Sequence, residues 1–156
     1  MEEIKLFTQQ ARKRRQRVVL VTGVFDILHQ EHQKFLAKAK KAGDVLIVGI
    51  ESDDRVKKIK GADRPTNNEK ERLKKLRLFS DIDLVFILPE KFNTTQEHLA
   101  LLKLIQPQIL AVSSHTPFLD QKRKLIELVG GELKIVHQFN PKISTSNFLS
   151  QLNQKK

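Results

Sequence analysis

Apolar, β-branched runs alternate with amphipathic stretches along most of the chain. Residues 17–22 (RVVLVT) and 44–50 (DVLIVGI) are almost continuously apolar in their interiors, the pattern of strands covered on both faces. Shorter runs at 83–88, 108–112 and 133–136 read the same way. The segments between them have helical spacing. In 33–41, Phe35, Leu36 and Ala39 share a face opposite lysines, and Gly43 ends the helix. Ser52 is placed to cap a short basic helix over 52–60, and 68–79 carries Leu73, Leu76 and Phe79. Further helices are expected over 95–105, ended by Pro107, over 117–129, opened by Pro117 and closed by Gly130 and Gly131, and over 146–152. A basic helix over 6–16 leads into the first strand.

This alternation predicts an α/β, three-layer Rossmann-like fold, with a five-stranded parallel sheet and helices on both faces. The chain divides into a basic helical extension, 1–16, and one domain, 17–156. Right-handed crossovers direct ligands to the carboxyl ends of the strands, near the switch in strand order. The loops after Val21, Ile50, Leu88, Val112 and Val136 are therefore the ones to inspect.

Composition narrows the chemistry. The 156 residues suit a single core, and 39% hydrophobic with 30% charged residues is a globular balance. There is no cysteine, which excludes disulfides, thiolate metal sites and a cysteine nucleophile. No apolar run is long enough to span a bilayer, and the first residues lack a signal-peptide core, so a cytoplasmic location without a membrane role is expected. The formal charge is +11, and five of the basic residues fall within 12–17. Such a surface attracts phosphates, nucleic acids or anionic lipids. Tyr and Trp are both absent, which removes the usual platforms for stacking bases and ranks nucleic-acid binding last.

The loop after the first strand reads GVFDILHQEH, residues 23–32. Its single glycine fits neither a dinucleotide fingerprint nor a P-loop. Instead His29 and His32 stand three apart where the loop becomes a helix, a spacing that puts both rings on one side of a turn. Amide N–H groups at a helix start attract phosphate, and imidazoles there add donors. The same spacing occurs among metal ligands, but zinc requires three or four, and only Asp26 and Glu31 are nearby acids.

GVFDILHQEH resembles the G-x-F-D-x-x-H-x-G-H signature of cytidylyltransferase-like nucleotidyltransferases. GDVLIVGIESD at 43–53, KGADRP at 60–65, the helix containing Glu71 and Arg72, and ISTS at 143–146 match further motifs of that family in order. The resemblance is greatest to the adenylyltransferase domain of ADP-heptose synthesis enzymes and to glycerol-3-phosphate cytidylyltransferase, and it covers roughly residues 17–152.

It implies a Mg²⁺-dependent transfer. A nucleoside triphosphate, ATP or CTP, lies over the first loop, and a sugar- or polyol-phosphate acceptor attacks its α-phosphorus and expels pyrophosphate. On that template His29, His32 and Lys60 act on the reacting phosphates. Thr22, Gly23, Val24, Phe25 and Asp26 shape the nucleotide site, Arg64 reaches phosphates, and Ser144, Thr145 and Ser146 hold the β,γ-phosphates. Mg²⁺ arrives with the triphosphate rather than on protein ligands, and a homodimer is compatible with the resemblance.

Two positions depart from the pattern. The glycine between the histidines is Glu31 here. A carboxylate about 5 Å from a phosphate charge costs roughly 3 kcal/mol at an effective dielectric near 20, or about two decades of affinity. Alternatively Glu31 favours the positive end of the helix and points outward. After the fourth strand the chain has SSHTPF, 113–118, where relatives carry a glycine- and acid-containing segment near the base. Three readings follow: an active nucleotidyltransferase, a degenerate nucleotide-binding module without turnover, and a nucleic-acid-binding protein. Arg72 and the serines of 144–146 also admit plain structural roles, as an exposed helix residue and as helix caps.

Overall fold

The computed structural model describes residues 1–138. The elements follow in the order α1 (Glu2–Lys13), β1 (Val18–Gly23), α2 (Gln30–Lys41), β2 (Val45–Ile50), α3 (Asp53–Lys60), α4 (Glu69–Leu76), β3 (Leu84–Ile87), α5 (Thr95–Ile105), β4 (Ile109–Ser113), α6 (Leu119–Leu128) and β5 (Glu132–His137). The expected helix over 146–152 lies outside the described residues.

Among the described residues the sheet is five-stranded and wholly parallel, in the order β3-β2-β1-β4-β5. This is the predicted Rossmann-like architecture. Alternation along the strands sorts side chains onto two faces. Val18, Leu20, Ile47 and Leu110 pack with Ile4 and Ala11 of α1, Leu101, Leu102 and Ile105 of α5, and Ile126 of α6. Val19, Val21, Leu46, Val48 and Ala111 pack with Leu36 and Ala39 of α2 and Leu76 of α4. The first helix begins at Glu2 rather than at residue 6, and its buried Ile4, Thr8 and Ala11 set it into the first of these cores.

Two further boundaries differ from the sequence reading. Pro117 does not open α6. Phe118 precedes the helix in a left-handed backbone conformation, φ 59°, which breaks continuity with Pro117. The helix expected over 68–79 stops at Leu76, because the amides of Leu78 and Phe79 bond three residues back instead of four.

The strand order reverses between β1 and β4. There the ladder is short, pairing only Val19 with Ile109 and Leu20 with Leu110. The β1–β2 ladder runs from Val18–Val45 through Gly23–Ile50. Beyond Leu20 the strands β1 and β4 splay, and a cleft opens at their carboxyl ends. Among the described residues no helix is long and apolar enough to cross a membrane.

Candidate nucleotide site

The splayed strands hold a cavity of about 360 Å³. Thr22, Gly23, Val24, Phe25 and Asp26 line it, as do His29 and His32 and the more distant Lys60 and Arg64. All the predicted site residues within the described part of the chain therefore meet in one place. Ser144, Thr145 and Ser146 lie outside the described residues.

The loop after β1 is shaped by Phe25 and Asp26. Phe25 adopts φ 50°, folding its ring back over Gly23. A Cβ at Gly23 would come within 2.8 Å of that ring, so a larger residue there would push the ring aside. Asp26 is 2% exposed. Its carboxylate accepts the backbone N–H groups of Thr66 and Asn67, both at 2.8 Å, and Arg64 Nε at 3.2 Å. The Asn67 side chain donates back to the Asp26 carbonyl at 2.8 Å. Asp26 is thus a clasp between the first loop and the segment before α4. Arg64 sits on that clasp with its side chain largely buried, rather than extending freely.

Arg72 is not an exposed helix residue. It is fully buried, and its guanidinium donates to the carbonyls of Asn67, Val24 and Glu51 and to Asp53 Oδ1, at 2.8–3.0 Å. A rigid five-donor fork is the one side chain able to satisfy carbonyls from three separate segments and a carboxylate together. It joins the loops after β1 and β2, and so builds the floor on which the site rests.

The histidine pair is a capping device. His29 is the N-cap of α2: its Nδ1 accepts the Glu31 N–H at 3.2 Å, while His32 Nδ1 accepts the His29 N–H at 3.4 Å. The rings stack with centroids 3.9 Å apart. Because both Nδ1 atoms accept, both neutral rings carry their proton on Nε2. Burial lowers the pKa of both histidines. In His32, reinforced by the neighbouring His29, it reaches about 4, although a hydrogen bond to the Ile27 backbone and the Glu31 carboxylate act the other way. At neutral pH the pair therefore offers neutral N–H donors at a helix N-terminus. His29 Nε2 is buried and has no hydrogen-bond partner among the described residues, and His29 borders the cavity.

Glu31 does not point outward. It is 6% exposed, and its carboxylate meets His137 Nε2 at 3.2 Å. Its charge is engaged by a cavity-lining neighbour instead of facing the cleft alone.

Other lining residues were not read from the sequence. Glu51, Phe92, His98, Thr116, Lys122 and His137 all border the cavity. Burial raises the Glu51 carboxyl pKa against the opposing pull of Arg55, and burial lowers that of the Lys122 ammonium while Glu51 opposes it. Glu51 and His137 were legible in principle, since each stands at the carboxyl end of a strand. Lys122 and His98 lie inside helices, and only three-dimensional packing brings them to the site. Among the described residues no group of three or more His, Asp or Glu is placed to hold a metal ion.

Similar proteins agree with this architecture. The chain is 42% identical over 132 residues to the bifunctional protein HldE of a Nitratiruptor species, covering 85% of this chain and 26% of that protein. It is 33% identical over 153 residues to the bifunctional protein HldE of Geotalea uraniireducens, covering 97% of this chain and 30% of that one. The chain thus spans less than a third of the length of these relatives. Among solved structures, the lipopolysaccharide core biosynthesis protein from Thermoplasma volcanium superposes with a TM-score of 0.64 at 25% identity, over 80% of this chain and 98% of that one. The pantoate-beta-alanine ligase of Francisella tularensis shares the fold, with a TM-score of 0.66 at 18% identity over 94% of this chain and 70% of that one. A family model described as cytidylyltransferase-like matches residues 20–150, the span that contains the whole cavity, and the chain belongs to that family.

Proposed function

We propose that this chain transfers a nucleotidyl group from a Mg²⁺-bound nucleoside triphosphate to the phosphate of a small sugar or polyol, releasing pyrophosphate. The observation that carries this reading is the histidine capping box, which leaves His29 Nε2 as a buried donor at a helix N-terminus beside the cavity. The acceptor phosphate oxygen forms a bond to the α-phosphorus as the bond to the β-phosphate oxygen breaks, so no covalent enzyme intermediate is needed. The protein contributes position and charge stabilisation. The neutral histidines supply hydrogen bonds without repelling each other, and Lys60 supplies positive charge, while Arg64, paired with Asp26, holds the loop at the edge of the cavity. The family resemblance assigns the β,γ-phosphates to Ser144, Thr145 and Ser146, which lie outside the described residues. Likeness to the HldE proteins, together with the resemblance to the adenylyltransferase domain of ADP-heptose synthesis enzymes, favours ATP as donor and a heptose phosphate as acceptor.

Pyrophosphate release with each of ATP, CTP, GTP and UTP plus Mg²⁺, against a panel of phosphorylated sugars and polyols, tests this. One nucleotide–acceptor pair should turn over. His29→Asn keeps a capping acceptor but removes the Nε2 donor, and should lower kcat about 10²-fold or more. Nucleotide binding without pyrophosphate release from any pair would assign the chain to binding without turnover, the second reading that Glu31 raises.

A further inference from the structure

Glu31 stands where the family signature has glycine, and the transfer described above gives it no task. Its surroundings are nevertheless highly ordered. Its backbone N–H donates to His29 Nδ1 at 3.2 Å. Its carboxylate Oε2 lies 3.2 Å from His137 Nε2, with both side chains nearly fully buried. Lys38 Nζ lies 3.0 Å from His137 Nδ1. An ammonium group only donates, so Nδ1 must accept, and the ring proton sits on Nε2 where Glu31 receives it. The result is a directional chain, Lys38 to His137 to Glu31. Lys34 Nζ approaches the same carboxylate oxygen at 3.9 Å from a mostly exposed position.

Three of these groups, Glu31, Lys34 and Lys38, belong to α2, while His137 ends β5. The Glu31–His137 bond therefore crosses between elements. At one end is the turn that orients His29. At the other is the last residue of the strand, two positions before the segment 139–156 that contains Ser144, Thr145 and Ser146.

We propose that Glu31 is a positioning residue, whose carboxylate latches the first turn of α2 to His137 at the end of β5 and so sets the direction of His29 Nε2. The proposal rests on the nucleotide-site reading. It inverts the expectation drawn from charge alone. If Glu31 merely repels triphosphate, removing its charge tightens binding in Glu31→Gly and Glu31→Gln alike. If it is a latch, glycine leaves the His137 Nε2–H without its acceptor and weakens binding. Glutamine keeps an oxygen for His137 Nε2–H and rescues it.

The experiment is isothermal titration of the full chain with MgATP and MgCTP, for wild type and both variants, alongside histidine ¹⁵N spectra of each. Glu31→Gly should bind the preferred nucleotide about 10-fold more weakly, the worth of one buried hydrogen bond. Glu31→Gln should recover to within about 3-fold of wild type. The His137 signals should report a bare Nδ1 and a protonated Nε2 in wild type and in Glu31→Gln, and both rings, His29 and His137, should shift in Glu31→Gly. Tighter binding in both variants, or Glu31→Gly indistinguishable from wild type, overturns the latch. If wild type binds neither nucleotide, the nucleotide-site reading fails instead. The latch is then decided by the spectra: a His137 proton on Nδ1, or a His29 signal unmoved by Glu31→Gly, rejects it.

Discussion

His32 shows how position redefines a residue's chemistry. Burial and the stacked His29 hold its pKa near 4, against 6.5 for an ordinary histidine. The folded chain therefore keeps His32 neutral where the unfolded chain would already protonate it. Its contribution is fully present above pH 6.5 and is lost as pH falls from about 6.5 to about 4, reaching up to about 3 kcal/mol at the lower end. Urea unfolding of wild type and His32→Gln at pH 7 and pH 4.5 checks the sign: wild type should lose about 2 kcal/mol more than the variant between the two. At this scale the sequence disclosed identities better than surroundings. The loop motif placed Thr22 through Asp26, His29 and His32 at one edge, and they line one cavity. The clasp around Asp26 reaches residues about forty positions away, and Glu31 finds its partner on another element. Neither long-range pairing leaves a local signature.

Elements were the most legible scale. Near-continuous apolar runs, glycines and capping residues mark all five strands and most helix ends, because each signal acts within a few neighbouring residues. Ser52 caps α3 through the Arg55 N–H, as its position suggested. The misplaced ends of α4 and α6 come from local backbone geometry without a composition signal, such as the left-handed Phe118 before α6, whereas the early start of α1 follows its packing on the sheet. The helix α5 has a reciprocal cap, in which Thr94 accepts the Glu97 N–H and Glu97 accepts the Thr94 N–H. Its apolar face, Leu101, Leu102 and Ile105, covers one side of the sheet and backs the cavity. Thr94→Ala removes an exposed side chain and its bond from the Glu97 N–H. It should cost about 1 kcal/mol, seen as a lower urea midpoint at unchanged slope. A loss above about 3 kcal/mol would mean that the cap also holds the adjoining loop of Phe92 and Asn93 in place.

For the whole molecule, strand alternation was enough to foretell a parallel sheet and the edge that would carry the site. It did not foretell how the strands pair, which depends on contacts between distant segments. The high positive charge did not by itself locate the site, since Lys60, Arg64 and Lys122 at the cleft are three among 29 basic residues. The short β1–β4 ladder has a thermodynamic consequence of its own. It divides the sheet into β3-β2-β1 on one side and β4-β5 on the other, joined by the pairs Val19–Ile109 and Leu20–Leu110. A seam with so few ladder bonds is where a sub-global opening should begin. Native-state hydrogen exchange at low denaturant should show β4, β5 and α6 exchanging as one unit below the free energy of β1 and β2; a single common free energy would refute this. The cleft has one wall on each side of that seam, so ligand affinity should vanish at denaturant concentrations where half of the sheet remains protected.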